Sequence, residues 1–236
     1  MSAAVLEIDH LRKHGVTLRP VRIARFRLEP GERVAIVGPD AQAAEILVNL
    51  VTGATLPDEG EIRVFGRATS AITDADDWLA TLDRFGMVSS RAVLLDGLSL
   101  AQNIAMAYSL SVDPIVDGVM ADVRRLAVDV ELSPEDLDTR LADLSVATKA
   151  RCHLARALAA NPAVLMLEHA NALLSPGEHP SFARTISRVV RRRRMAVFAL
   201  TADQRFARAV AGRVLKLDRA SGALLDVSGW RRWLGR

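Results

Sequence analysis

Short apolar runs alternate with amphipathic segments along the chain, and this alternation predicts strands that are separated by helices. Continuous apolar runs, which are typical of buried parallel strands, occupy residues 34–37, 163–167 and 195–200. Further strands are predicted at 5–8, 21–28, 61–65, 85–88 and 213–217. This order of elements favours a parallel α/β sheet.

Helical patterns fill most of the segments between these strands. Helices are predicted at 41–51, 75–84, 177–192 and 203–211, and Gly53 closes the first of them. From residue 91 to about residue 161 the pattern is mostly helical, with interruptions at Asp113-Pro114 and Ser133-Pro134. We therefore expect a helical insertion in the middle of the α/β sheet, and a short C-terminal helix that ends in Trp230 and Trp233.

The composition is ordinary for a globular protein, with 236 residues, half of them hydrophobic, and a net charge of +3. This charge is too small to indicate nucleic-acid binding by itself. No run of about 18 apolar residues predicts a membrane-spanning helix, and residues 1–9 lack the pattern of a signal peptide. The single cysteine, Cys152, excludes an internal disulfide, fits a reducing cytoplasm and has the apolar neighbours of a packing residue.

Residues 31–39 have the sequence Gly-Glu-Arg-Val-Ala-Ile-Val-Gly-Pro, which is typical of the strand before a phosphate-binding loop. The residues that would bind phosphate in that loop are missing from the positions that follow. Such a loop follows the pattern G-x-x-x-x-G-K-[ST], in which backbone N–H groups cradle phosphate and the lysine neutralises it. Counted from Gly38, the chain has Ala43 for the second glycine, Ala44 for the lysine and Glu45 for the hydroxyl. The degenerate loop consists of Gly38, Pro39, Asp40, Ala41, Gln42, Ala43, Ala44, Glu45 and Ile46.

Over essentially its whole length the chain resembles the nucleotide-binding subunit of ATP-binding cassette (ABC) transporters. Residues 30–39 match the segment that leads into the Walker A loop, 58–66 the G-x-I segment, and 86–88 the strand that enters the Q-loop. Leu144-Ser145 and residues 151–158 match the signature motif and its helix, and 161–167 match the Walker B strand. Because these matches follow one another in the family's order, they are strong together although each is weak alone.

The resemblance implies an α/β fold: a P-loop NTPase (RecA-like) core with a small antiparallel β portion and a helical subdomain inserted in the middle. Residues 1–90 and 162–236 would form the core, and 91–161 would form the helical, signature-bearing subdomain of one ABC domain. The family's cofactors are ATP and Mg²⁺. Its partners are an integral membrane permease and a second ATP-binding subunit, so the implied location is cytoplasmic and peripheral at the inner face of the membrane.

Every position to which the resemblance assigns catalysis or nucleotide contact departs from the family's pattern. Glu168 stands for the Walker B aspartate, His169 for the general-base glutamate, and Ala202 for the switch histidine. Ser90 replaces the glutamine of the Q-loop, Ser175 the aspartate of the D-loop, and His14 the aromatic residue that stacks on adenine. The signature motif reads Leu144, Ser145, Val146, Ala147 and Thr148, without its glycines.

Charge then predicts that nucleotide binding is weak or lost. Glu45 and Asp40 place negative charge where a triphosphate would lie, and we expect no cation to balance it. Unit charges 4 Å apart interact by roughly 4 kcal/mol at an effective dielectric of about 20. Exchanging an attraction for a repulsion of that order removes most of a micromolar affinity, which is about 8 kcal/mol. No confident catalytic residue and no metal site are predicted.

The leading functional hypothesis is therefore a pseudo-ATPase subunit that scaffolds or regulates a permease, either as a homodimer or with a sister subunit. One alternative is a divergent but active transport ATPase that uses Glu168 and His169. Another is an adaptor that has left transport. The apolar stretches 92–95 and 104–110 coincide with the region that receives the permease in the family, or they pack in the subdomain's own core.

The arginine run 191–194 is the only dense cluster of charge. Arginines at the end of a helix are favoured by its dipole, which makes a solvated helix end the simplest interpretation. A contact with anionic lipid headgroups or with nucleic acid is the functional alternative. Because no aromatic residue is interleaved with the arginines, we expect no nucleic-acid partner.

Overall fold

The computed structural model describes residues 3–14 and 20–227. The strands are β1 (Leu6–Lys13), β2 (Val21–Leu28), β3 (Arg33–Val37), β4 (Glu59–Val64), β5 (Arg67–Ala68), β6 (Phe85–Ser89), β7 (Val164–Glu168), β8 (Ala196–Thr201), β9 (Arg213–Leu217) and β10 (Leu224–Asp226). The α-helices are α1 (Ala41–Val51), α2 (Ala75–Leu82), α3 (Leu100–Ala105), α4 (Asp117–Asp129), α5 (Val146–Leu158), α6 (His179–Arg193) and α7 (Gln204–Val210).

Two sheets form the framework. The larger sheet has the strand order β10-β9-β3-β8-β7-β6, and every pair in it is parallel except that of β9 with β10. The smaller sheet is antiparallel with the order β2-β1-β4-β5. This arrangement confirms the prediction of a parallel α/β core with a small antiparallel portion.

The larger sheet separates two hydrophobic clusters, because successive residues of a strand point to opposite faces. Leu165 and Leu167 of β7 pack in the cluster that contains helices α3 to α7. Val164 and Met166 of the same strand pack in the other cluster, with α1 and the antiparallel sheet. A strand buried on both faces has to be apolar throughout, which is why its sequence showed no alternation.

Several boundaries differ from the predictions. The strands β5 and β10 have only two and three residues, too few to show a period, and neither was predicted. The segment 91–161 is less helical than expected, because only α3, α4 and α5 are regular there. The loop between α3 and α4 contains the Asp113-Pro114 bond. The predicted C-terminal helix with Trp230 and Trp233 lies outside the described residues.

Close packing of α5 against β6 requires a glycine at position 86. A Cβ atom at Gly86 would lie 2.2 Å from the carbonyl oxygen of Ala157 in α5, well inside contact distance. The contact between Gly86 and Ala157 fixes α5, the helix of the signature motif, against the edge of the larger sheet. No helix in the described ranges is both long enough and apolar enough to cross a membrane.

Cys152 lies on the buried face of α5, and burial raises the pKa of its thiol to about 12. A thiol that stays protonated and inaccessible does not react at neutral pH. We therefore expect a disulfide reagent to label Cys152 only after the chain is unfolded by denaturant, which a spectrophotometric thiol titration measures. Stoichiometric labelling of the folded chain within minutes would contradict this packing.

Candidate functional site

The carboxyl ends of the parallel strands β3, β6, β7 and β8 lie at one edge of the larger sheet, where ligands bind in open α/β sheets. Gly38 follows β3, and Ser90 follows β6. Glu168 ends β7, His169 follows it, and Ala202 follows β8. Chain topology thus assembles at one edge the positions that sequence comparison had taken from distant segments.

The loop after β3 is short because helix α1 begins at Ala41. Gly38 has a φ of +111°, and a Cβ atom there would lie 3.3 Å from the carbonyl oxygen of Leu217. Ala43 and Ala44 fall in the first turn of the helix and are buried, with Ala44 fully inaccessible. Residues 41–44 of the G-x-x-x-x-G-K pattern are therefore wound into the helix, and only Gly38, Pro39 and Asp40 remain in the loop.

Asp40 supplies an anion to the start of α1 from the chain itself. Its Oδ1 accepts a hydrogen bond from the backbone N–H of Ala43 at 2.8 Å, and its Oδ2 pairs with Arg219 Nη1 at 2.8 Å. The bond from Ala43 is the main cause that holds the pKa of Asp40 below its ordinary value, and Arg219 adds to it. The N-terminus of a helix attracts anions, and here an internal carboxylate already satisfies it.

This cap makes part of the stability dependent on pH. Because the folded-state pKa of Asp40 is lowered, its stabilisation is present above the unfolded-state pKa and is lost as pH falls through the folded-state value. We expect Asp40→Ala to lower the free energy of unfolding by about 1 kcal/mol at neutral pH. Denaturant titrations should show this difference shrinking below about pH 4.

Asp40→Asn is the matched control, since an asparagine caps a helix nearly as well but carries no charge. It should retain most of the stability and lose the dependence on pH. A difference between wild type and Asp40→Ala that stays constant from neutral to strongly acidic pH would contradict a carboxylate cap.

A single arginine, Arg91, connects the other two carboxylates of the site, Glu45 and Glu168, and we call this arrangement the Arg91 bridge. Arg91 donates from Nε and Nη2 to the two carboxylate oxygens of Glu168, at 2.9 and 2.8 Å. Its Nη1 donates to Glu45 Oε1 at 2.9 Å. Ser89 Oγ accepts the backbone N–H of Arg91 at 3.1 Å and so fixes the turn after β6. The hydrogen bonds to Glu168 are the main cause that raises the pKa of Arg91.

Burial makes this bridge asymmetric. The side chain of Glu168 is only 5% exposed, whereas those of Arg91 and Glu45 are 44% and 43% exposed. A buried carboxylate needs a counter-charge, and the bidentate fork of Arg91 supplies it. Glu45, at the helix start, then shares the same guanidinium at the surface.

The expectation of an uncompensated negative pocket is therefore wrong. Arg91 pairs with Glu45 and Glu168, and Arg219 pairs with Asp40, so two cations offset all but one of the three negative charges. Sequence reasoning had noted Ser90 as a lost glutamine but had overlooked the arginine beside it. A basic residue directly after the Q-loop position, in a chain that has lost the Walker lysine, was the available signal.

His169 adopts a strained backbone conformation, with a φ of +45°. Its backbone N–H donates to the carbonyl oxygen of Leu200 at 2.9 Å, and its carbonyl oxygen accepts from Ala172 at 2.8 Å. Its buried Nε2 has no hydrogen-bond partner among the described residues. The structure thus holds His169 by its backbone, at a strand end.

The signature and adenine positions lie on other elements. Ser145 caps α5 by accepting the backbone N–H of Thr148 at 3.1 Å, and Val146 behind it is 45% exposed. His14 is exposed, and its backbone N–H donates to Asp58 at 2.6 Å. Across the described ranges, no hydrogen bond or ion pair joins these residues to the Arg91 bridge.

A second polar cluster, which sequence reasoning missed, fixes the loop after β7. The ring of His179 lies with Nδ1 2.9 Å from Asp203 Oδ2 and Nε2 3.1 Å from the carbonyl oxygen of Leu174. Asn171 reaches the same Asp203 oxygen at 3.2 Å. Ser175, at the D-loop position, donates from Oγ to Glu178 at 2.7 Å. These contacts hold the loop to α6 and to the start of α7.

The residues at the sheet edge do not fit a magnesium nucleotide. Residues 41–44 of the loop pattern are wound into α1, the helix start is capped by Asp40, and Arg91 is bonded to both Glu168 and Glu45. Within residues 3–14 and 20–227, no group of three or more His, Cys, Asp or Glu side chains could hold a metal ion.

Comparisons with known proteins place these features in context. The family described as ABC transporter matches residues 21–172. The methionine import ATP-binding protein MetN of Brucella abortus (strain 2308) is 28% identical over 219 residues, covering 92% of this chain and 58% of the relative. MetN of Caulobacter vibrioides is 30% identical over 191 residues, covering 81% of this chain and 57% of the relative. The chain thus spans a little over half the length of these relatives.

Solved structures share the fold at low sequence identity. The structure of cbiO1 from Clostridium perfringens, described as part of the ABC transporter complex cbiONQ, superposes with a TM-score of 0.81 at 17% identity, covering 98% of this chain and 91% of that one. A dimeric post-hydrolysis structure of the ATP-binding cassette MJ0796, bound to ADP and Pi, gives a TM-score of 0.73 at 19% identity, covering 93% and 96%.

Proposed function

Because the chain belongs to the ABC transporter family, we propose that it is a cassette subunit that no longer hydrolyses ATP and that scaffolds or regulates a membrane permease. The proposal places the subunit at the cytoplasmic face of the membrane. It treats residues 91–161 as the helical subdomain and the remainder as the core. The two MetN relatives named above are methionine import ATP-binding proteins, and we include that direction in the proposal.

The Arg91 bridge is the observation that best supports the proposed loss of ATP hydrolysis. In a working site a lysine and Mg²⁺ balance the phosphates, and carboxylates hold the metal or position water. Here the chain's own arginine takes up both Glu45 and Glu168, and Ala44 stands where the lysine would be. Binding of a nucleotide would have to break these bonds and unwind the first turn of α1, with nothing to replace the lost charge balance.

Exposed apolar side chains support the permease contact. In the segment between β6 and α4, Val93 is 72% exposed, Leu95 43% and Leu110 86%. Ile104, in the same region, is fully buried, so only part of the apolar sequence is used for internal packing. Exposed apolar residues clustered on one segment mark a contact surface for another protein.

Ser145 is the one signature residue that could still serve a partner. In the family, each composite site takes its Walker loop from one subunit and its signature from the other. In a heterodimer this chain would offer Ser145 at the start of α5, followed by the branched Val146 where a glycine is expected. The valine in place of glycine would reduce the activity of a sister subunit's site. A homodimer of this chain would have no working site.

The test uses the complex purified in detergent from the membranes of the source organism. An affinity tag on this chain should retain an integral membrane protein. In that complex, His169→Ala should leave phosphate release unchanged, as should the control His10→Ala at an exposed position outside the site. Loss of phosphate release in His169→Ala alone would show a working site in this chain. Recovery of the chain without any membrane protein would overturn the scaffolding role.

A further inference from the structure

The structure divides the arginine run 191–194 into two pairs with different roles. Arg192 and Arg193 form ion pairs with the two oxygens of the buried Asp129, at 2.8 and 2.7 Å. These two arginines connect the end of α6 to the end of α4, and both of them pair with the carboxylate of Asp129. Arg191 and Arg194 are exposed and have no acidic partner within the described part of the chain.

Arg191 and Arg194 contribute instead to a concave surface, which we call the arginine groove: Arg33, Arg184, Arg188, Arg191 and Arg194. It consists of two adjoining cavities of about 380 and 490 Å³, and Arg191 lines both. Arg184, Arg188 and Arg191 share one face of α6, because residues four and three apart on a helix lie above one another. Arg33 enters from the start of β3.

Positive charge in the arginine groove is largely uncompensated. Of its five arginines, only Arg188 has an ion-pair partner in the described ranges, and that partner is Glu131. No acidic residue in the described part of the chain lines either cavity. Burial, followed by the nearby charge of Arg191, lowers the pKa of Arg33, which is the direction expected for like charges held close together.

The groove lies at the end of the sheet opposite the degenerate loop. Arg33 begins β3, whereas Gly38 follows the last residue of that strand. Arg194 is the residue directly after α6 and precedes β8 by two residues. An anion held there would meet neither the Arg91 bridge nor Asp40, so its binding is independent of the nucleotide positions.

We propose that the arginine groove binds a ligand with several phosphate groups close together. Guanidinium groups match phosphate oxygens with paired hydrogen bonds, and several on one concave surface can hold adjacent phosphates. Phosphates of this kind occur in free oligophosphates and, on neighbouring headgroups, at the surface of a membrane that contains anionic lipids. Among the described residues no aromatic side chain lines the groove, and stacking on aromatic rings is how proteins hold single-stranded nucleic acid.

The test compares two double variants of the full chain that remove the same charge. Arg184→Gln with Arg191→Gln alters the groove. Arg124→Gln with Arg125→Gln alters the exposed face of α4 and is the control. Calorimetry with inorganic tripolyphosphate at low salt and without magnesium should show binding that the groove variant weakens at least tenfold, or about 1.4 kcal/mol, and the control by less than about twofold.

Sedimentation with vesicles of phosphatidylglycerol and phosphatidylcholine distinguishes the two sources of phosphate. Binding of tripolyphosphate alone indicates a free oligophosphate, and groove-dependent binding of vesicles alone indicates a lipid headgroup. Either result supports the proposal, provided that circular dichroism shows both variants folded. Absence of both kinds of binding in wild type overturns it. An equal loss in the two double variants also overturns it, since that result would mean non-specific attraction to net charge.

Discussion

Replacing Arg91 with alanine is expected to lower the free energy of unfolding by about 2 kcal/mol. The variant leaves Glu168 buried without its counter-charge and removes the cation that Glu168 shares with Glu45. Breaking a fully buried ion pair costs about 3 to 5 kcal/mol, and the partial exposure of Arg91 reduces that value. Urea titration of wild type and variant measures the difference.

A double-mutant cycle separates the bridge from other effects of the substitution. Glu168→Gln removes the charge that needs compensation, so Arg91→Ala should destabilise the Glu168→Gln background by less than about 1 kcal/mol. Arg67→Ala breaks an exposed ion pair with Asp77 and should change stability by less than about 0.5 kcal/mol. If Arg91→Ala were no more destabilising than Arg67→Ala, the bridge would not hold the site together.

Restoring the missing lysine should damage the fold and leave nucleotide binding absent. Ala44 is fully buried in the first turn of α1, against the cluster that includes Leu47 and Ile36. A lysine there would place its charge in apolar surroundings without a partner. We expect Ala44→Lys to lower the free energy of unfolding by about 3 kcal/mol, measured by denaturant titration.

Gln42→Lys is the matched control, because position 42 is an exposed residue of the same helical turn. It should shift stability by no more than about 0.5 kcal/mol, mainly through the helix dipole. An Ala44→Lys variant that keeps wild-type stability and gains affinity for ATP would mean that the loop rearranges readily into a phosphate cradle. That result would make the loss of the lysine the only defect of the site.

Local signals explain which parts of the fold could be predicted. The helix at 41–51 was predicted with both ends correct, because Asp40 can cap its start and Gly53 follows its end. The buried strands β7 and β8 were predicted within one residue at each end from their continuous apolar composition. The strands β5 and β10 were not predicted, because two or three residues are too few to show a periodic pattern.

The candidate site was predicted less completely, since its chemistry depends on contacts between distant segments. Arg91 is 46 residues from Glu45 and 77 residues from Glu168 in sequence. Motif comparison assigned Glu45 and Glu168 to family motif positions but examined only the positions that carry the family's pattern. A compensating residue at a neighbouring position lies outside such a comparison, and only the parallel pairing of β6 with β7 brings it to Glu168.

Calorimetry of the purified wild-type chain with ATP and magnesium tests most directly whether the degenerate loop has lost its affinity for nucleotide. We predict no magnesium-dependent binding up to millimolar nucleotide, because Arg91 is bonded to Glu45 and Glu168, Asp40 caps α1, and no lysine stands at position 44. Binding of the triphosphate in the arginine groove would need no magnesium and would be weakened in Arg184→Gln with Arg191→Gln. A saturable isotherm with micromolar affinity that requires magnesium would contradict this prediction.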